Sequence, residues 1–393
     1  MSSTITSPAR AVRTLGAVAL AAMLAAAAVQ AEAAGTMTAS LPVWAPSALS
    51  PLTSNLTDPP NWRLDPGASF NGVANAFDGT ALLLFKIDSD PGGTYACSGS
   101  LMQGGEYVLT AGHCVTDMTS MQVNFGWYNG AALQTRTVTA VHTAPGWVDF
   151  NTNADQGNDL ALVKLDQKVS GLHTYALSTT NDVGKTHLMT GYGTVGTGGS
   201  SSDPDWSDWK YGHYGWNVAD VTSKDFNKAA GDHIGPGWGY DAAYYTGTTY
   251  MSDFDNPSNP NNNTLGRLGS LLGGSWTSNN GVAGEALIAG GDSGGGDFIW
   301  DGSQWVLSAV HSWGWGGACE DYFGLAGCDA SASNSSSFGD LSGSTAVFSH
   351  VGWIQSVTGV PEPATPIMLA LGLLGVGSAA RWRRAASASQ RAA

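Results

Sequence analysis

Charge is scarce in this chain. Asp, Glu, Lys and Arg make up only 12% of 393 residues, and the 16 Lys plus Arg are outnumbered by 31 Asp plus Glu. The resulting net charge of −15 repels phosphate backbones and excludes nucleic acid as a partner class. Cysteine is equally sparse, at 4, and two of these without a nearby Cys/His pair do not make a zinc set. No metal and no cofactor is expected. Long apolar runs occur at the two ends. What is abundant is glycine, with 53 residues, and tryptophan, with 15. That balance suits short strands, many turns and aromatic packing better than long helices. A hydrophobic share of 42% supplies a core, and the length allows two domains or one large β domain with decorated loops.

Both ends read as addresses. Arg10 and Arg13 precede an apolar run over 15–29, and Ala31-Glu32-Ala33 offers small residues for signal peptidase, so 1–33 is expected to be a secretory signal. A buried helix is the plain alternative. Export would place the cysteines where disulfides persist. At the other end, Val360-Pro361-Glu362-Pro363 is followed by an apolar stretch over 364–380 and then by Arg381, Arg383 and Arg384. The stretch is at the short limit for a bilayer span, and the arginines mark the cytoplasmic side. The 359–393 tail resembles the Pro-Glu-Pro sorting signal of Gram-negative bacteria. That resemblance implies cleavage by a membrane-embedded sorting enzyme and a mature protein that is secreted or held at the cell surface. A permanent transmembrane anchor is the alternative.

Between these ends, 34–70 is rich in Pro, Ser and Thr and reads as a linker or propeptide. Strand-like segments follow at 81–87, 121–128, 135–141, 160–165 and 187–192. Later, 297–300 and 304–310 flank the hairpin dipeptide Asp301-Gly302, and 347–357 is expected to give a last strand and a short helix. A run around 200–280 is rich in Gly, Asp, Asn and Trp. Loops of that length are functional or disordered, and the density of Trp and Tyr points to ordered packing along a cleft. Within it, Asp253, Asp255 and Asn256 could offer oxygens to calcium, but without EF-hand spacing a solvated loop is the favoured reading.

Three segments carry the chemistry. Gly290-Gly291-Asp292-Ser293-Gly294-Gly295 presents a serine, Leu109-Thr110-Ala111-Gly112-His113-Cys114 an imidazole, and Asn158-Asp159-Leu160-Ala161-Leu162 a carboxylate. A serine hydroxyl is a weak nucleophile at neutral pH and needs a histidine to take its proton, with a carboxylate to orient that histidine. Together with Cys97-Ser98-Gly99-Ser100-Leu101, Gly191-Tyr192-Gly193 and Ser312-Trp313-Gly314, these runs resemble the trypsin/chymotrypsin family of serine proteases over 71–358.

The resemblance implies an all-β fold of two six-stranded antiparallel barrels with the site in the cleft between them. It implies Ser293 as nucleophile, His113 as general base and acid, and Asp159 as its orienting partner, with the amides of Gly291 and Ser293 as oxyanion hole. It carries substrate contacts onto Ser312, Trp313 and Gly314, a pocket floor onto Leu287 (or Glu285 if the register slips), and a pocket wall onto Ala346, hence apolar P1 residues. It pairs Cys97 with Cys114. The family's other bridge lacks its cysteine here, where Ala289 stands, so Cys319–Cys328 is expected instead. The family also frees a new amino terminus to pair with the aspartate at Asp292, yet Phe70-Asn71-Gly72-Val73 has no Lys or Arg before it. The expected partners are thus a protein or peptide substrate, signal peptidase and a sorting enzyme. A surface-displayed adhesion protein keeping the barrels without turnover, and ester hydrolysis by the same serine, are the rival readings.

Overall fold

The computed structural model describes residues 62–274, 276 and 281–360, with the backbone of Thr53–Ser54. The expected signal segment and all but the first two residues of the sorting tail lie outside the described residues. Among the described residues no helix is long and apolar enough to cross a membrane.

Six strands close the first barrel in the spatial order Thr80–Ile87, Tyr95–Leu101, Tyr107–Thr110, Ala161–Leu165, Gln134–Thr143, Met118–Phe125. All its neighbouring strands are antiparallel. These strands carry Leu82, Leu83, Val108, Leu109, Val123, Phe125, Leu162 and Val163, each essentially buried, inside the barrel or between it and its neighbours. Branched and aromatic side chains of this kind fill a small barrel, and closure leaves no free edge to pair with another chain.

The second sheet runs His213–Val218, Thr186–Gly191, Gly296–Trp300, Trp305–Trp315, Leu341–Ala346, Thr249–Asp253, Val221–Thr222, with Ala176–Leu177 added in parallel to Trp305–Trp315. A closed barrel beside a second strand-rich sheet is the trypsin-like arrangement that the resemblance implied. The second half, however, follows an open path and takes three strands from the 200–280 run. That run is therefore not loop. It also forms helices Ser223–Ile234 and Thr264–Leu272. Each has a cap that feeds its first turn: the Thr222 hydroxyl accepts from Asp225 N at 3.1 Å, and Asn263 Oδ1 from Gly266 N at 2.7 Å. Such caps satisfy amides with no partner inside the helix. Phe226, Ala230, Leu265, Leu268 and Leu272 then pack on Trp313, Trp315 and the Cys319–Cys328 disulfide.

Two expectations shift. The last strand is Leu341–Ala346, and 347–357 is a 3-10 turn, Val347–His350, leading into helix Val351–Thr358. The small, polar Ser342-Gly343-Ser344-Thr345 shows no alternation; ladder partners on both sides make it a strand. Further upstream, the end of the segment read as a linker is docked. Arg63 forks onto Asp208 at 2.6 and 2.8 Å, its guanidinium lies 3.6 Å from the Tyr211 ring centroid, and Leu64 is buried.

The acidic run also turns inward. Asp253 and Asp255 are buried rather than solvated, and with Asp220 and Glu285 they form a carboxyl cluster behind the strand that bears Leu287. Burial, then repulsion among the four, pushes Asp255 up to about 9; burial above all pushes Glu285 up to about 8. The fold thus holds protons that the unfolded chain releases above the ordinary carboxylate range. Stability should fall as pH rises from about 4 toward 9. Asp255→Asn should raise the melting temperature at pH 8 and leave it unchanged at pH 4 in calorimetry; equal effects at both would refute this linkage.

A second expectation concerns the Cys319–Cys328 bridge, which spans a separation of 9 residues. Loop-closure entropy for so short a loop gives about 2–3 kcal/mol. Replacing both cysteines with alanine should lower unfolding free energy by that amount in denaturant titration, and no loss would place the stability of the helical layer elsewhere.

Candidate active site

The site begins with a buried carboxylate. Asp159 precedes strand Ala161–Leu165 and is fully buried. Its Oδ1 accepts from the backbone N–H of His113 at 2.8 Å, and its Oδ2 lies 2.7 Å from His113 Nδ1. Ser312 Oγ donates to the same Oδ2 at 2.6 Å. His113 opens a 3-10 turn after Tyr107–Thr110, leaving its ring half-buried with the Phe150 ring edge-on at 5.1 Å. With Nδ1 directed at the carboxylate, Nε2 is the free nitrogen of the ring.

Ser293 sits on a turn shaped by glycine. Gly291 has φ +96 and Gly294 φ +81; a Cβ on Gly294 would lie 2.4 Å from the Ser98 carbonyl and closer still to Thr110 Oγ1. Neither position admits another side chain without strain. The turn is stitched to the first barrel through Ser98: its N–H donates to Ser293 O at 2.7 Å and its Oγ to Gly291 O at 3.0 Å, while it accepts from Tyr192 N at 2.9 Å. The Cys97–Cys114 disulfide ties that same strand to the histidine turn. No acceptor takes the amides of Gly291 or Ser293 among the described residues. Two free N–H groups beside a serine hydroxyl could together receive a developing oxyanion.

His113 and Ser293 line one cavity of about 260 Å³. Ile288, Ala289, Ser312, Trp313, Gly314 and Ser336 line it as well, as does Asp149. Three of the expected substrate contacts, Ser312, Trp313 and Gly314, are among these. Leu287 and Ala346 are not. Leu287 is buried between Phe254 and Phe338, and Ala346 packs with Tyr250 and Ala309. Strand alternation decides this: Ile288, one residue on, faces the cavity instead of Leu287. Glu285 turns away into the carboxyl cluster. A second, more apolar cavity shares Phe150, Trp313 and Gly314 and is walled by Phe226, Tyr244, Met251 and Trp315. The 200–280 run thus lines an extension of the cleft.

Asp292 is buried. Its carboxylate accepts from Gly193 N at 2.8 Å and Ala289 N at 2.9 Å. Burial raises its pKa to about 6 against the opposing charge of His311 and these two amides. Phe70 and Val73, at the position the family uses for its activation cut, pair across a hairpin whose corner residues Asn71 and Gly72 both have positive φ. Sequence reasoning passed over Ser98, which sits inside a quoted motif, and His311, which precedes one. For metals, the one triad of candidate ligand atoms within 4.8 Å among the described residues is Cys97, His113 and Cys114, whose two cysteines form a disulfide.

Residues 76–209 match the Trypsin family model. This stretch contains His113 and Asp159 and ends before Ser293. Residues 359–384 match the PEP-CTERM protein-sorting motif, which points to export and a cell-surface or extracellular place in a Gram-negative bacterium. No curated protein sequence matches the chain. Similar solved structures include HL collagenase, 19% identical over 76% of this chain and 98% of that one, with a TM-score of 0.46. Another is Protease Anisep from Arthrobacter nicotinovorans, 16% identical over 69% and 91% of the two chains, with a TM-score of 0.39.

The Ser312–Asp159 bond offers a test of how the carboxylate is held. Removing a donor to a buried charge costs more than removing a neutral hydrogen bond. Ser312→Ala should lower kcat roughly tenfold with KM little changed; unchanged kcat on a peptide substrate would mean that His113 alone positions Asp159.

Proposed function

We propose that the chain is a secreted or surface-held serine endopeptidase. Its carrying observation is His113, fixed by Asp159 through Nδ1, facing the same cavity as Ser293. In this reading Nε2 takes the Ser293 proton as Oγ attacks a peptide carbonyl. The amides of Gly291 and Ser293 stabilise the oxyanion, the protonated His113 releases the leaving amine, and water hydrolyses the acyl-enzyme. The trypsin-family match over 76–209 supports the reaction class, and the sorting-motif match supports the location. The lining of the cavity supports apolar P1 residues. The cavity is lined by Ile288, Ala289 and Trp313, and its one carboxylate, Asp149, is already engaged by Thr152 N and Oγ1 at 2.9 and 2.8 Å, so a Lys or Arg side chain would find no uncommitted counter-ion there.

The test is fluorophosphonate labelling of mature protein, followed by a peptide library. Wild type should label and Ser293→Ala should not. Cleavage after Leu or Phe should exceed cleavage after Arg by at least tenfold, which is about 1.4 kcal/mol of discrimination. Absence of labelling in wild type would overturn the enzymatic reading in favour of an adhesion protein. Turnover of esters but not peptides would reassign the substrate, and equal rates after Leu and Arg would remove the P1 assignment.

A further inference from the structure

One buried imidazole near the site has no part in proton transfer to the substrate. His311 lies on strand Trp305–Trp315, one residue before Ser312, and is fully buried. Its main chain pairs with the far side of the serine turn: His311 N donates to Gly295 O and Gly294 N donates to His311 O, both at 2.9 Å. Its ring meets the near side, with Nδ1 at 3.2 Å from Asp292 O, a carbonyl that also accepts from Gly295 N at 2.8 Å. The other nitrogen, Nε2, lies 2.8 Å from Asp297 Oδ1. Residue 311 therefore touches the chain immediately before and immediately after Ser293.

Both ring nitrogens face atoms that only accept, a carbonyl oxygen and a carboxylate. A neutral imidazole carries one N–H, so one of the two contacts would set lone pair against lone pair; the imidazolium satisfies both. We propose that His311 is a positioning residue, held as an imidazolium between Asp292 O and Asp297, that braces the Ser293 turn and supplies the positive charge beside the Asp292 carboxylate. The inference rests on the serine-protease reading of the same turn. The groups around it agree. Burial lowers the pKa of His311, but Asp297 and then Asp292 outweigh it, and the net shift is upward. Asp297, despite burial, is held well below the usual range by His311 and His187. His187 approaches Asp297 from strand Thr186–Gly191, with Nδ1 at 3.9 Å, and packs against Tyr250 of strand Thr249–Asp253. Strand Leu341–Ala346 sets Ser344 opposite His311 and brings no charge.

Because the folded pKa is raised, the brace is fully present below the ordinary histidine range and is lost as pH rises through the raised value. The test is the pH profile of the fluorophosphonate labelling rate for the full chain and two variants. Wild type should show an alkaline fall. Asp297→Asn should move its midpoint down by at least one pH unit, and His311→Gln should label at least tenfold more slowly with that fall abolished. Nitrogen-15 NMR of histidine-labelled wild type, needing neither variant nor turnover, should show both His311 nitrogens protonated at pH 6. A neutral His311 ring, or an Asp297→Asn profile that superposes on wild type, would overturn the proposal. Wild type that shows the imidazolium but never labels would instead count against the protease reading alone.

Discussion

Everything at this site hangs on one buried carboxylate. Asp159 sits at the end of the first barrel yet takes hydrogen bonds from both halves of the molecule: two groups of His113 on one side and the Ser312 hydroxyl on the other. A fully buried charge is tolerable only when such donors surround it. Meeting that need locks the imidazole in one orientation and draws strand Trp305–Trp315 against the barrel. The same strand carries His311 and the cavity wall at Trp313 and Gly314. Solvating one carboxylate thus sets the geometry of the imidazole, the serine turn and the cavity wall together.

The nucleophile turn is held by a complementary device. Ser98 uses its N–H and hydroxyl on Ser293 O and Gly291 O, so the first barrel grips the turn from one side while His311 grips it from the other. Glycines at 291 and 294 let the backbone enter a conformation other residues resist, and these outside contacts keep it there. Asp292, inside the turn, is satisfied by the amides of Gly193 and Ala289 and by the field of His311. The turn is therefore held by partners within the described residues, while residues 70–73 form a hairpin.

Part of this was legible in the sequence, for identifiable reasons. Motifs such as Asn158-Asp159-Leu160-Ala161-Leu162 are local: a turn residue followed by a buried strand reads directly from the apolar pattern. Four strands of the first barrel were legible because they alternate or run apolar, while Tyr95–Leu101, rich in small residues, and the four-residue Tyr107–Thr110 were not. The second half was not. Leu341–Ala346 is small and polar, and the 200–280 run looked like loop because its helices are short and glycine-bearing. Their stability comes from packing on Trp313, Trp315 and a disulfide, which propensity does not register. Counting back from Ser293 reached Leu287, but a one-residue change of face hands the cavity wall to Ile288.

The sequence by itself determined the chemical parts: a serine, a histidine and an aspartate in glycine- and apolar-framed motifs, an acidic and charge-poor composition, and a C-terminal sorting motif. These are properties of neighbouring residues and composition, which no fold is needed to read. Only the tertiary structure decided the partners. Ser312 on Asp159, Ser98 on Ser293, His311 on Asp297, and four carboxyls gathered behind Leu287 are contacts between distant segments. Their energies arise from burial and desolvation, and burial exists only once the chain has folded.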